Sequence, residues 1–125
     1  MVRYRFALAA AALAAGLAWV PPAVAHQTGR AATRVSAVNV TTGKPAEFRF
    51  TLSKKTVPKG TVNFLVINKG ALPHDFKING HKTRLLSPGQ AQTLKVTFLK
   101  AGKYPYLCTV TGHAVAGMKG ILTVT

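Results

Sequence analysis

The chain has 125 residues, with 17 Lys and Arg against 2 Asp and Glu, for a formal net charge of +15. That length bounds a single domain with one modest core, and a lone cysteine excludes an intramolecular disulfide framework. So basic a composition raises nucleic acid as a partner, but most lysines are spread singly, as at Lys44, Lys59, Lys69, Lys82, Lys95, Lys103 and Lys119, and no basic helix carries them.

The first element in chain order is a leader. Arg3 and Arg5 form a basic start, Phe6 to Val20 is an unbroken apolar run, and Ala23-Val24-Ala25 supplies a small-x-small cleavage site. The run falls short of the ~20 residues needed to span a bilayer. A signal peptide over 1–25, cleaved after Ala25, is therefore expected rather than a membrane anchor, and the absence of a cysteine there argues against a lipid anchor. Residues 26–33 read as a flexible lead-in and 34–125 as the folded domain, in a periplasmic or secreted protein. Loss of Arg3 and Arg5 leaves about +13, since Glu47 and Asp75 are the only acids. Such a surface attracts acidic partner proteins and, weakly, anionic membrane surfaces. Its plain reading is a solvated basic face, and its sharper one is a docking surface. Export and the scattered charges argue against nucleic acid.

Past the lead-in the chain reads as short strands between turn residues. Val35, Val38 and Val40 begin one that ends at Gly43-Lys44-Pro45. Phe48, Phe50 and Leu52 alternate with polar residues, a period of two with one buried face. Pro58-Lys59-Gly60 is a turn, followed by a strand over Thr61 to Asn68. Phe76 and Ile78 lead into Asn79-Gly80, a strong hairpin signal, so His81 reads as a solvated turn residue. Ser87-Pro88-Gly89 precedes the alternating Leu94, Val96 and Phe98, and Tyr104 to Cys108 and Ile121 to Val124 supply the last strands. No segment past the leader has a helical period. Short strands with turns roughly every 8–12 residues predict an all-β sandwich of seven to eight strands.

The chemistry concentrates in CTVTGHAVAGMKG, where Cys108, His113 and Met118 follow one another at steps of five. An unpaired cysteine in an exported protein is by default a buried thiol. On a helix, steps of five put the three side chains ~140° apart. On a strand they alternate faces and spread over ~33 Å. If they act together, the segment is a loop, which Gly112, Gly117 and Gly120 permit. Thiolate and thioether select copper, and a trigonal His₂Cys set with a weak axial Met describes a blue-copper electron-transfer site. Zinc favours four Cys or His ligands. The set needs a second imidazole, and His74 in LPHDF stands at the start of a predicted strand.

The stretch YPYLCTVTGHAVAGMKGILTV resembles the copper loop of the cupredoxins, the blue-copper family that includes auracyanin and rusticyanin. The resemblance implies a Greek-key sandwich over 34–125 and one copper held by the imidazoles of His74 and His113, the thiolate of Cys108 and the axial thioether of Met118. It also implies a monomeric electron carrier, not an enzyme, that cycles between Cu(II) and Cu(I). The His113 edge becomes the electron exit, ringed by Leu72, Pro73, Ala114, Val115 and Ala116. One departure stands out: many members carry Asn or Ser after the first histidine, hydrogen-bonded toward the loop, where this chain has Asp75. A carboxylate there bears on the reduction potential rather than on binding.

Three other readings compete. Copper trafficking uses the same soft ligands but favours several exposed, exchangeable ones. A cysteine hydrolase with His113 as base lacks an orienting third residue, both acids being distant in sequence, and leaves Met118 without a role. A copper site on an amino-terminal His26, as in oxidative polysaccharide-cleaving enzymes, needs no Cys-His-Met loop.

Overall fold

The computed structural model describes residues 34–125 together with Gly16, Ala18, Trp19 and Ala23. The expected cleavage at Ala25, the lead-in and His26 lie outside the described residues. Nine strands follow in order: β1 (Val35–Thr42), β2 (Phe50–Leu52), β3 (Thr56–Val57), β4 (Gly60–Asn68), β5 (Lys77–Ile78), β6 (His81–Lys82), β7 (Ala91–Phe98), β8 (Gly102–Leu107) and β9 (Lys119–Val124). Among the described residues there is no helix.

The strands form two sheets, ordered β2-β1-β4-β7 and β3-β9-β8-β5-β6. Both are mixed, because β1 runs parallel to β4 and β3 parallel to β9 while the other pairs are antiparallel. The all-β sandwich expected from the sequence forms. The strand count rises to nine because the Asn79-Gly80 hairpin contributes two short strands and Thr56–Val57 adds another, too brief to show a period.

Alternation decides which face is buried. Along β7, Leu94, Val96 and Phe98 point inward while Thr93, Lys95 and Thr97 face out, as the pleat requires. Val38 and Val40 of β1 and Val62, Phe64 and Val66 of β4 join them in the core. The second sheet contributes Ile78, Tyr106, Leu122 and Val124, with Phe76 just ahead of β5. Aromatic rings tie the layers: Phe64 and Phe50 each lie 5.4 Å from Phe76 between centroids, and Phe50 lies 5.6 Å from Tyr106.

Two local expectations shift. Phe48 belongs to a turn rather than to the β2 strand, which starts at Phe50. Gly43 N–H donates to Arg49 O at 3.0 Å and closes that turn. Gly43, at φ +75°, adopts a conformation in which a side chain would be strained. Cys108 falls one residue past the end of β8, in the loop.

Phe64 is fully buried and touches rings on both sides. Phe64→Ala should therefore lower unfolding stability by about 3–5 kcal/mol, through lost transfer energy and the cavity left behind. Urea unfolding checks this.

Candidate metal centre

The site lies where β8 ends. Leu107 pairs with Lys119 of β9 and with Lys77 of β5. One step further along the β9 side, Cys108 N–H donates to Met118 O at 3.1 Å, so the ladder continues past the last strand residue. Two steps further along the β5 side, Asp75 faces Thr109: its carboxylate accepts from Thr109 N–H at 2.6 Å and from the Thr109 hydroxyl. The sheet register therefore delivers Cys108, Met118 and the segment carrying His74 to one place. Met118 N–H donates to His113 O at 3.0 Å and folds the loop back on itself.

His74 is pinned at its main chain by a two-way bridge with Leu86, at 3.0 and 2.8 Å. The preceding loop is organised by Asn68, which is fully buried. Its amide NH₂ donates to Leu72 O and Leu86 O, both at 2.8 Å. Its carbonyl accepts from Gly70 N–H at 2.8 Å and from the Thr42 hydroxyl at 3.0 Å. All four hydrogen-bonding positions of this buried amide are filled, as a polar group in a core requires.

Donor atoms of His74, Cys108 and His113 all lie within 4.8 Å of one another. The two Nδ1 atoms are 3.1 Å apart, and Cys108 Sγ is 3.6 Å from His113 Nδ1. Cys108 is 1% exposed and His113 9%, while His74 and Met118 are fully buried. Met118 joins this group through its main chain and its burial. Among the described residues this is the one cluster of three or more His, Cys, Asp or Glu with metal-holding geometry.

A group absent from sequence reasoning completes the arrangement. Glu47 Oε1 lies 2.7 Å from His74 Nε2, and the carboxylate also accepts from Ala71 N–H and Leu72 N–H, both at 2.9 Å. These two amides, with His74 behind them, hold the Glu47 carboxyl down at about 2. An ionised carboxylate only accepts, so Nε2 of His74 donates to Glu47, and in the neutral ring Nδ1 then faces His113 as an acceptor. Nitrogens facing each other at 3.1 Å beside a sulfur need either a shared proton or a shared cation between them. The donors therefore fit a metal, and two imidazoles with a thiolate suit copper. Burial pushes the Cys108 thiol up, and the nearby negative Asp75 acts in the same direction, against the N–H groups of Asp75 and Val110. Burial, then neighbouring His74, pushes the His113 imidazole down and favours its neutral, ligating form.

A sequence model described as a cupredoxin-like domain matches residues 8–124. The chain belongs to the cupredoxin-like family. Auracyanin-B of Chloroflexus aurantiacus is 44% identical over 43 residues, which is 34% of this chain and only 18% of that curated relative's length. By structure, the chain is similar to auracyanin A, a "blue" copper protein of the green thermophilic photosynthetic bacterium Chloroflexus aurantiacus. The TM-score is 0.60 and the identity 18%, over 74% of this chain and 100% of that one. Rusticyanin from Thiobacillus ferrooxidans gives a TM-score of 0.61 at 22% identity, over 73% of this chain and 77% of that one. These structural likenesses show the cupredoxin fold.

Asp75, the departure from the cupredoxin pattern, does reach the loop through Thr109, and it lies 3.7 Å from Lys82 Nζ. Both acids, though distant in sequence, stand at the site, so a carboxylate is near the histidines after all. Glu47 orients His74 rather than His113, however, and a Cys108 that is 1% exposed offers no approach to a substrate. His81 is exposed, as expected, but it opens β6 opposite Ile78 rather than lying in the turn. Glu47 and Asn68 were not picked out from the sequence. The one signal available was scarcity, since a chain with 2 acids has little reason to keep them without a task.

Asn68→Ala would strand Gly70 N–H, Leu72 O and the Thr42 hydroxyl. Only the Thr42 hydroxyl is fully buried, the other two bonds being part-buried, so at about 1–3 kcal/mol for a buried group left unpaired stability should fall by about 1–3 kcal/mol. The Gly70 amide should exchange faster with solvent, measured by hydrogen exchange.

Proposed function

We propose that the chain is an exported type 1 copper protein that carries single electrons between redox partners. The observation that carries the reading is the convergence of His74, Cys108 and His113 donor atoms, within 4.8 Å and out of solvent. Copper held by His74, Cys108 and His113, with Met118 as a further weak ligand, would supply a one-electron Cu(II)/Cu(I) couple.

The residues present suit that task. Electron transfer is fast when ligands barely move between oxidation states, and each candidate ligand is fixed by the fold. His74 is held by Leu86 and Glu47, Cys108 by Met118 O, and His113 by its N–H to Val110 O at 3.0 Å. Burial of all four side chains argues against trafficking, which needs ligands that a recipient can reach. It equally favours a carrier over an enzyme, since no reactant could touch the sulfur. Binding requires the thiolate, so metal uptake displaces the Cys108 proton.

The partner is read from the surface. Val115 is 92% exposed and Leu72 42%, each two residues from one of the histidines. Together with Pro73, Ala114 and Ala116 they offer an apolar contact beside the site. The surrounding positive charge steers an acidic redox protein toward it. The protein works as a monomer in the periplasm or outside the cell, after cleavage at Ala25, with 34–125 as the copper domain.

Cu(II) added to the purified protein should bind once per chain and give an intense blue or green band that reductant bleaches. Cys108→Ser should lose that band, and unchanged absorption in the variant would overturn the reading. In Met118→Leu the colour should survive while the reduction potential rises. Loss of a weak axial donor and a more apolar surrounding both disfavour the higher charge. Redox titration beside the parent checks it.

A further inference from the structure

Both imidazoles of the site are touched by one short turn, and its residues are consecutive. Glu47 Oε1 meets His74 Nε2 at 2.7 Å, and the Phe48 ring meets His113 edge-on, with centroids 5.0 Å apart. Arg49 follows, and a side chain placed at Gly117, next to Met118, would come within 3.1 Å of its guanidinium. The turn is rigid in its own right: Gly43 N–H bonds to Arg49 O at 3.0 Å, and the Thr51 hydroxyl to Lys44 O at 2.9 Å.

Two glycines make this approach possible. A Cβ at Gly70 would collide with Glu47 Oε1 and lie 3.0 Å from His74 Nε2, and a Cβ at Gly43 would run into the Gly70 backbone. Both positions must be empty for the carboxylate to reach the imidazole. The contact is thus provided for in the sequence at Gly43, Glu47 and Gly70 together.

We infer that Glu47 is a positioning residue, which through the 43–49 turn fixes the orientation and tautomer of His74 before any metal arrives and lowers the site's reduction potential. The inference rests on the copper reading only for its second half. A carboxylate bonded to the far side of a ligating imidazole makes that imidazole more basic and fixes the direction of its lone pair. Its negative charge favours the more highly charged state of a cation on the other nitrogen. Both effects stabilise Cu(II) over Cu(I).

The test compares Glu47→Gln, which keeps an acceptor oxygen but removes the charge, with Glu47→Ala, which removes both. Ring ¹⁵N spectra of the metal-free parent should show His74 protonated at Nε2, with a proton protected from solvent exchange. Glu47→Ala should lose that protection. Copper affinity should fall about 10–100-fold in Glu47→Ala and much less in Glu47→Gln, while the potential rises in both. A merely structural role would leave the potential of a folded Glu47→Gln where the parent has it, and that result would overturn the inference. An unchanged His74 spectrum in Glu47→Ala would overturn it too. If Glu47→Ala fails to fold, the potential of Glu47→Gln decides. If the parent takes up no coloured copper, the proposed function falls, and the metal-free spectra alone decide whether Glu47 holds His74.

Discussion

The register of β8 is the constraint on which the site depends. This strand lies between β9 and β5, and its last residue, Leu107, is paired on both sides, with Lys119 and with Lys77. Continuing both ladders by a step or two sets Cys108 against Met118 and Thr109 against Asp75, and the observed hydrogen bonds fall on those pairs. A slip by one residue would reverse the faces of the whole strand. It would turn Tyr106 out of the core, Leu107 in, and Cys108 away from His74. Packing of Tyr106 on Phe50 and Phe76 therefore helps fix the position of a sulfur two residues along. Core and site are under one restraint.

The sandwich supplies rigidity, and the loops supply proximity that no regular element could. Steps of five rule out a helix or strand as the carrier of Cys108, His113 and Met118, and the structure solves this with turns closed by main-chain bonds. Ala116 N–H donates to Gly112 O at 3.0 Å, and Gly117 N–H to Ala114 O at 3.1 Å. Gly112 and Gly117 both have positive φ, which admits the reversals. On the other side, Asn68 plays for the 69–73 loop the part that sheet bonds play elsewhere.

What was legible in the sequence and what was not divides along a physical line. Strands with long alternation, such as Leu94-Val96-Phe98, announce their buried face, and three soft donors at fixed spacing in one loop announce a metal. Both signals are local in the chain. His74 was found because the chemistry demanded a second imidazole. Glu47 and Phe48 act through contacts 27 and 65 residues distant, to His74 and His113. Asn68 ties its own loop at Gly70 and Leu72 to Leu86 and Thr42, 18 and 26 residues away. None of the three stands in a recognisable local pattern. Phe48 even fitted the alternation of its neighbours, and only the closure of the 43–49 turn sets it against His113 instead of in a strand. Thr56–Val57 is a strand only because β9 lies beside it.

The distribution of charge follows from the same closeness. A protein with a net charge of +15 has 2 acids, and one bonds a candidate ligand while the other bonds the residue after the thiol. The lysines are numerous but lie in solvent, where charges beyond ~8–10 Å are largely screened at physiological salt. A carboxylate at hydrogen-bond distance is screened far less: opposite charges 4 Å apart attract by about 4 kcal/mol at an effective dielectric of 20. Two near anions can therefore outweigh many distant cations in deciding which charge a bound ion prefers. The same lysines, collectively, still govern how a charged partner approaches from outside. On the proposed function, fixing the energy of the electron and attracting a redox partner would thus fall to charges of opposite sign at different ranges. Each can change by mutation with little effect on the other.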